Sequence, residues 1–114
     1  MQLNVTTEDS GVVVIRIAGE MDMYNAHQLK DTVTQQLEGG SKRLAVDLSG
    51  LEYIDSSGIG ALLYTFTQAK NRQCVVQFAG AHGPVHKVIS LTGLLGFLPL
   101  SDNLDAAKTT LTSQ

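Results

Sequence analysis

The sequence predicts an α/β fold in which a mostly parallel mixed sheet of about five strands carries an N-terminal hairpin and about four helices. Two observations predict it. Two strand-like runs stand together at the start of the chain, and after them short aliphatic runs alternate with segments whose apolar residues recur at helical spacing. Such alternation is typical of a parallel sheet covered by helices. The chain has 114 residues, of which 43% are hydrophobic, so we expect residues 1–114 to form a single domain.

The first third of the chain predicts a hairpin and a helix. Residues 3–6 alternate like a half-buried strand, and residues 12–18 form a stronger strand rich in β-branched side chains. Residues 19–22 break the strand pattern. A helical stripe follows at Ala26, Leu29, Val33 and Leu37, and the pair Gly39-Gly40 is expected to end that helix.

The middle of the chain predicts two further strands around an apolar helix. Residues 42–48 form a strand, and Ser49-Gly50 is interpreted as the turn that ends it. A helix then begins at Ile59, with its stripe continued by Leu62, Leu63, Phe66 and Ala69. Residues 74–78 form the next strand.

The last third predicts two helices and a weak strand. Gly83-Pro84 opens a helix, because proline suits a first helical turn. Residues 94–100 hold a short edge strand, which Pro99 restricts to the edge of the sheet. Ser101 or Asp102 is expected to cap a last helix, and residues 109–114 are expected to fray.

Composition narrows the classes of function. The net charge is −3 and the lysines and arginines are scattered, which argues against nucleic acid as a direct partner. The apolar runs are only a handful of residues long, too short for membrane insertion, and residues 1–4 do not begin a signal peptide. The single cysteine, Cys74, cannot form an internal disulfide and lies in an apolar run, so we expect it to be buried. Together these features predict a soluble, cytoplasmic protein.

The most informative stretch is Asp55-Ser56-Ser57-Gly58-Ile59-Gly60. Hydroxyls at a helix start can act as caps, but Gly58 and Gly60 each cost a helix about 1 kcal/mol relative to alanine, and capping does not explain them. Glycines there leave the backbone and a serine hydroxyl open to something outside the chain. We therefore interpret Ser56 as a modification site that faces a partner protein.

Acidic residues lie near the ends of two of the predicted strands. Asp22, Asp47 and the Asp55 turn are interpreted as following strand ends, and functional sites of such sheets lie beyond the carboxyl ends of strands. We expect them to share one rim of the sheet. Asp22 fits both an N-cap of the first helix and a functional residue, whereas Asp47 is interpreted as a turn acid.

These motifs resemble those of a known family. The run from Asp47 to Gly60, together with Gly19-Glu20-Met21-Asp22 and Leu91-Thr92-Gly93-Leu94, resembles the anti-sigma factor antagonists, which are single-domain members of the STAS (sulphate transporter and anti-sigma factor antagonist) group. The family carries Asp-Ser-Ser/Thr-Gly-Leu-Gly after a strand, with Ile59 here in place of leucine. The resemblance implies phosphorylation of Ser56 and a partner-binding surface at Asp22, Asp55, Ser57, Gly58, Ile59 and Gly60.

The resemblance also implies a mechanism, partner switching. The unphosphorylated antagonist binds an anti-sigma factor that is also a serine kinase, which releases a sigma factor. Phosphorylation ends the complex, and a serine phosphatase restores it. ATP and magnesium belong to the kinase, so we expect no cofactor, no metal and no enzymatic activity in this chain. A phosphate carries about −1.5 to −2 charge, which a helix N-terminus accommodates, so the modified domain is expected to stay folded.

Three alternatives carry less weight. A STAS subunit that regulates a membrane transporter without phosphorylation is the main rival, although the intact serine turn favours the switch. A serine hydrolase would need the Gly-x-Ser-x-Gly motif, which is absent. His82 and His86 have the spacing of helical metal ligands, but Pro84 is expected to start the helix after His82, and no third ligand is evident.

Overall fold

The computed structural model describes residues 1–113 and contains one five-stranded sheet. Its strands lie in the order β1-β2-β3-β4-β5, with β1 antiparallel to β2 and every other neighbouring pair parallel. Their bounds are β1 (Gln2–Thr7), β2 (Val13–Met21), β3 (Arg43–Ile54), β4 (Val75–Ala79) and β5 (Leu100–Ser101). The predicted mixed sheet with an N-terminal hairpin is confirmed.

Four helices, α1 (Ala26–Glu38), α2 (Ser56–Asn71), α3 (Gly83–Leu91) and α4 (Leu104–Thr112), lie on the two faces of the sheet. Successive strand residues point to opposite faces. The odd-numbered residues of β2 from Val13 to Ile17 join a large core with α1, α2 and α3. Val14 instead joins a smaller core with Ala107 and Leu111 of α4. None of the helices in residues 1–113 is long and apolar enough to cross a membrane.

The predicted apolar stripe of α1 is confirmed, because Ala26, Leu29, Val33 and Leu37 are its buried residues. In α2, Ile59, Leu62 and Ala69 are buried, while Leu63 and Phe66 are partly buried and pack against the same core. Cys74 is also buried as predicted.

Strands β2 and β3 are longer than predicted. We expected them to end at residues 18 and 48, but they run to Met21 and Ile54. The register between them shifts twice, between Arg16 and Ala18 and between Gly19 and Glu20. Gly19 adopts a positive φ of 93°, and such irregularities let strands bend and continue. The Ser49-Gly50 turn was therefore a wrong prediction: both residues lie inside β3.

Gly50 has a packing reason within β3. A Cβ there would lie 3.1 Å from the carbonyl oxygen of Ile17 and 3.2 Å from the Cβ of Ala18. Glycine thus allows the two strands to approach closely beside the register shift.

Several helix boundaries differ from the prediction. Helix α1 has Asn25 rather than Asp22 as its N-cap, and α2 begins at Ser56, three residues before Ile59. The N-cap of α4 is Asn103, whose side chain accepts a hydrogen bond from the backbone N–H of Ala106 at 2.8 Å.

The end of the chain is more regular than predicted. Helix α4 continues to Thr112 because Leu111 is fully buried, so the expected fraying from residue 109 is wrong within the helix. Gln114, also part of that prediction, lies outside the described residues. The predicted edge strand within residues 94–100 is confined to two residues that follow Pro99, Leu100–Ser101.

Candidate functional site

Asp55 organises the start of α2. It is the N-cap residue in an extended conformation, and its Oδ1 accepts hydrogen bonds from the backbone N–H groups of Ser57, at 2.9 Å, and Gly58, at 3.1 Å. A carboxylate at this position satisfies two helix donors that lack intrahelical partners and also complements the helix dipole. The cap is therefore the acid that precedes the two serines, not a serine hydroxyl.

The other oxygen of the same carboxylate holds a different segment. Oδ2 of Asp55 accepts a hydrogen bond from the backbone N–H of Met23 at 3.1 Å. The backbone N–H of Asp55 donates to the carbonyl of Met21 at 3.2 Å. Asp55 thus joins the start of α2 to residues 22–25, the segment between β2 and α1, which we call the 22–25 loop.

The 22–25 loop is braced from within. Oδ1 of Asp22 accepts from the N–H of Tyr24 at 2.9 Å, and Oδ1 of Asn25 accepts from the N–H of Asp22 at 2.9 Å. The side-chain amide of Asn25 donates to the carbonyl of Glu20 at 3.0 Å. Asp22 therefore stabilises the loop without capping α1.

Two large side chains project from this braced loop. Met23 is 68% exposed and Tyr24 is 80% exposed, although apolar surface of this size is ordinarily worth burying. Tyr53, at the end of β3, is also exposed. Sequence reasoning missed these residues, because the pair Met23-Tyr24 sits in a break between strand and helix that carries no pattern from which its exposure can be read.

Ser56 is the first residue of α2 and is exposed, whereas Ser57 is half-buried. Within residues 1–113, the Ser56 hydroxyl makes no hydrogen bond, so nothing in the described chain restrains it. Of the two adjacent serines, Ser56 is the one that an enzyme reaches more easily.

Gly58 and Gly60 serve different purposes. Gly58 is buried, and a Cβ there would overlap the side chain of Ile54 and lie 3.1 Å from the carbonyl oxygen of Met21. A Cβ at Gly60 would meet nothing within 4 Å. The interpretation that these glycines leave space for something outside the chain therefore fits Gly60 but not Gly58.

Two other predicted positions are buried. Ile59 is only 6% exposed and belongs to the large core, so it supports the site from beneath. Asp47 lies in the middle of β3, paired in register with Arg16 and Ala79. It does not share the rim with Asp22 and Asp55, and its interpretation as a turn acid after a strand end is wrong.

The electrostatics of the rim are acidic. Residues 20–25 and 52–60 contain no lysine or arginine but include Asp22 and Asp55. The N–H groups of Ser57 and Gly58 already donate to Asp55. The helix start therefore offers a phosphate fewer free donors than the sequence suggested, and a phosphate on Ser56 would stand beside the carboxylate of Asp55.

Comparison with known proteins decides the family. The STAS domain profile matches residues 4–107. The chain belongs to the STAS domain family. A protein of Paenibacillus polymyxa named anti-sigma F factor antagonist is 28% identical to it over 117 aligned residues, which cover 97% of each chain.

Solved structures show the same fold. An anti-sigma factor antagonist from Mycobacterium paratuberculosis is 31% identical, with a TM-score of 0.85 over 96% of this chain and 92% of that one. The Bacillus cell fate determinant SpoIIAA in its phosphorylated form is 19% identical, with a TM-score of 0.73 over 96% of this chain and 99% of that one. At that identity the likeness to SpoIIAA concerns the fold alone.

Proposed function

We propose that this STAS protein is a cytoplasmic anti-sigma factor antagonist that works by partner switching. Its unphosphorylated form binds an anti-sigma factor with serine kinase activity and so releases a sigma factor. Phosphorylation of Ser56 ends the complex, and a serine phosphatase restores it. The observation that carries this proposal is the exposed Ser56 hydroxyl, without a partner among the described residues, at the first position of α2. The name of the Paenibacillus relative supports it.

The acidic rim gives phosphorylation its effect. A phosphate on Ser56 brings about −1.5 to −2 charge to a place where Asp55 already occupies the first helix donors. In solvent that charge stays hydrated. In a closed interface it loses its water and faces the fixed carboxylate, and like-charge contacts of this kind cost several kcal/mol. About 4 kcal/mol would weaken the complex roughly a thousandfold.

Exposed side chains near Ser56 support a choice of partner-binding surface. Met23 and Tyr24 supply apolar contact area beside Ser56, and Gly60 leaves open space on the same helix. Exposed aromatic side chains are the usual anchors of protein interfaces. Of the residues implied by the resemblance, we propose that Asp22, Asp55 and Gly58 shape this surface, that Ile59 supports it from the core, and that Ser57 lies at its edge.

The test is phosphorylation by an anti-sigma factor kinase of the same organism, with ATP and magnesium, read by intact mass and peptide mapping. We expect one phosphate on the parent, none on Ser56→Ala, and one on the matched control Ser57→Ala. Full modification of Ser56→Ala overturns the assignment of the site.

A binding experiment tests the switch itself. The phosphorylated chain should bind the kinase at least tenfold more weakly than the parent and keep a cooperative thermal melt. Equal binding of the two forms overturns partner switching. Failure of any anti-sigma factor kinase to bind, together with binding to a transporter ATPase, would favour a transporter subunit instead.

A further inference from the structure

On the face of the sheet opposite α2 lies a groove that the switch does not use. It has a volume of about 230 Å³ and is lined by Gln2, Asn4, Arg16, Ala18, Asp47 and Ser49, among others. Helix α4 packs on β3, β4 and β5 of this face and also on Val14 of β2. Further along β2, Arg16 and Ala18 are only partly buried, and Gln2 and Asn4 of β1 are exposed. We call this the β1–β3 groove.

A largely buried carboxylate opens into the β1–β3 groove. Asp47 is only 8% exposed, and its Oδ1 accepts a hydrogen bond from the backbone N–H of Ser49 at 3.0 Å. Oδ2 has no hydrogen-bond partner among the described residues. Among the described residues, no side-chain oxygen that lacks a partner is fully buried. Oδ2 therefore keeps some contact with open space, and Asp47 is one of the residues that line the groove.

A guanidinium stands beside that carboxylate without pairing with it. Arg16 is the register neighbour of Asp47, but its Nη1 donates to Oγ1 of Thr6 at 3.0 Å. In the described part of the chain, the one ion pair closer than 4.0 Å joins Lys108 to Glu8, so Arg16 and Asp47 do not form one. The two opposite charges are thus more than 4.0 Å apart, although both residues line the groove.

The sheet is irregular beside these two charged residues. The neighbouring register shift between Arg16 and Ala18 is the kind of irregularity that natural sheets place beside binding sites. The residues that line the groove include Asp47, Arg16, Gln2 and Asn4.

We propose that the β1–β3 groove binds a small zwitterion, a free α-amino acid, with its ammonium group on Asp47 and its carboxylate on Arg16. The volume suits a ligand of this size rather than a drug-sized molecule, whose pockets measure roughly 300–1,000 Å³. The carboxylate of Asp47 would repel a polyphosphate, so the charges select against nucleotides. The site is separate from Ser56, because α2 lies on the other face of the sheet.

The test is a nuclear magnetic resonance titration of the full chain with each standard L-α-amino acid up to about 10 mM, which detects a Kd of about 1 mM or tighter. We expect at least one to give saturable shifts at the backbone amides of Asn4, Ala18 and Ser49. Its N-acetyl amide, which lacks both charges, and ATP should not. The proposal is overturned if no amino acid gives saturable shifts, if the N-acetyl amide binds equally well, or if ATP alone occupies the groove.

Substitutions test whether Asp47 and Arg16 bind the two charged groups of the amino acid. Asp47→Asn and Arg16→Gln should each weaken binding at least tenfold, as expected for the loss of a charged hydrogen bond. Asp31→Asn and Arg72→Gln make the same charge changes at two exposed positions, one in α1 and one at the C-cap of α2, and should not weaken binding. If Asp47→Asn fails to fold, Arg16→Gln decides alone. Unchanged affinity in a folded Arg16→Gln chain overturns the proposal.

Discussion

The carboxylate of Asp55 lies 3.1 Å from the backbone nitrogen of Met23, which links two segments that are far apart in the sequence. Its second oxygen caps α2 at the same time. One side chain therefore fixes both the helix start that carries Ser56 and the loop that presents Met23 and Tyr24. Local order at the site depends on Asp55 more than on either serine.

Asp55→Asn should separate these two tasks. Asparagine retains one acceptor oxygen, which can cap α2, but its amide nitrogen cannot accept from Met23. We expect faster amide hydrogen exchange at Met23 with little loss of stability. Asp55→Ala should lose the cap as well and cost about 1 kcal/mol, measured by chemical denaturation. Unchanged exchange at Met23 in Asp55→Asn would show that the link is not formed in solution.

Alanine substitutions at Gly58 and Gly60 should have opposite effects on stability. A methyl group at Gly58 would collide with Ile54, and overpacking typically costs about 1–3 kcal/mol. The Gly60 position is open, and alanine is the better helix former by up to about 1 kcal/mol. Chemical denaturation of the two variants measures both values. Equal stability of the two variants would contradict the packing assigned to Gly58.

The elements that the sequence predicted well are those whose pattern is local. The four buried residues of α1 recur at the 3.6-residue period of a helix, so they form one apolar stripe that can pack against any neighbouring sheet. The β-branched run of β2 likewise predicts its own strand. Proline at the start of α3 fixed that boundary, since Pro84 lies in its first turn.

The residues that were misread depend on neighbours distant in sequence. Whether Gly50 forms a turn or lies inside a strand is decided by Ile17 and Ala18 of β2, against which it packs. Whether Gly58 faces a partner or the core is decided by Ile54 and Met21. A single sequence shows that a side chain is missing, but not which atom occupies the space.

The candidate site was predicted from residue types and not from geometry. The acid, the two serines and the two glycines before an apolar helix, together with the family resemblance, led to Ser56, and its phosphorylation stays a prediction. The exposure of Tyr24, in contrast, follows from a loop that hydrogen bonds to Asp22, Asn25 and Asp55 hold in place. No periodic pattern in the sequence predicts these hydrogen bonds.

Tyr24→Ala should weaken binding to the anti-sigma factor kinase at least tenfold, which corresponds to about 1.4 kcal/mol. The side chain is 80% exposed, so the free energy of unfolding should change by less than about 0.5 kcal/mol. Leu91→Ala is the matched control, because Leu91 is 77% exposed at the end of α3. Calorimetric titration gives the affinities. Equal losses in the two variants would remove Tyr24 from the interface.

Cys74 gives the fold a pH dependence of defined sign. Burial raises the pKa of its thiol above the ordinary value, and the nearby charge of Lys42 lowers that pKa by a smaller amount. Because the folded chain holds the thiol proton more tightly than the unfolded chain, this group's contribution is fully present below the unfolded pKa of about 8.5. The contribution is lost as the pH rises through the folded pKa.

The measurement is the free energy of unfolding from about pH 7 to pH 10, across the ordinary thiol pKa, for the parent and for Cys74→Ala. Removing a buried side chain should lower the stability of the variant throughout, but its decline with pH should be shallower than that of the parent. The difference in slope isolates the thiol, because the other titrating groups are shared. Parallel curves would mean that Cys74 titrates alike in the folded and unfolded chains, which its burial beside Ala69 and Val76 argues against.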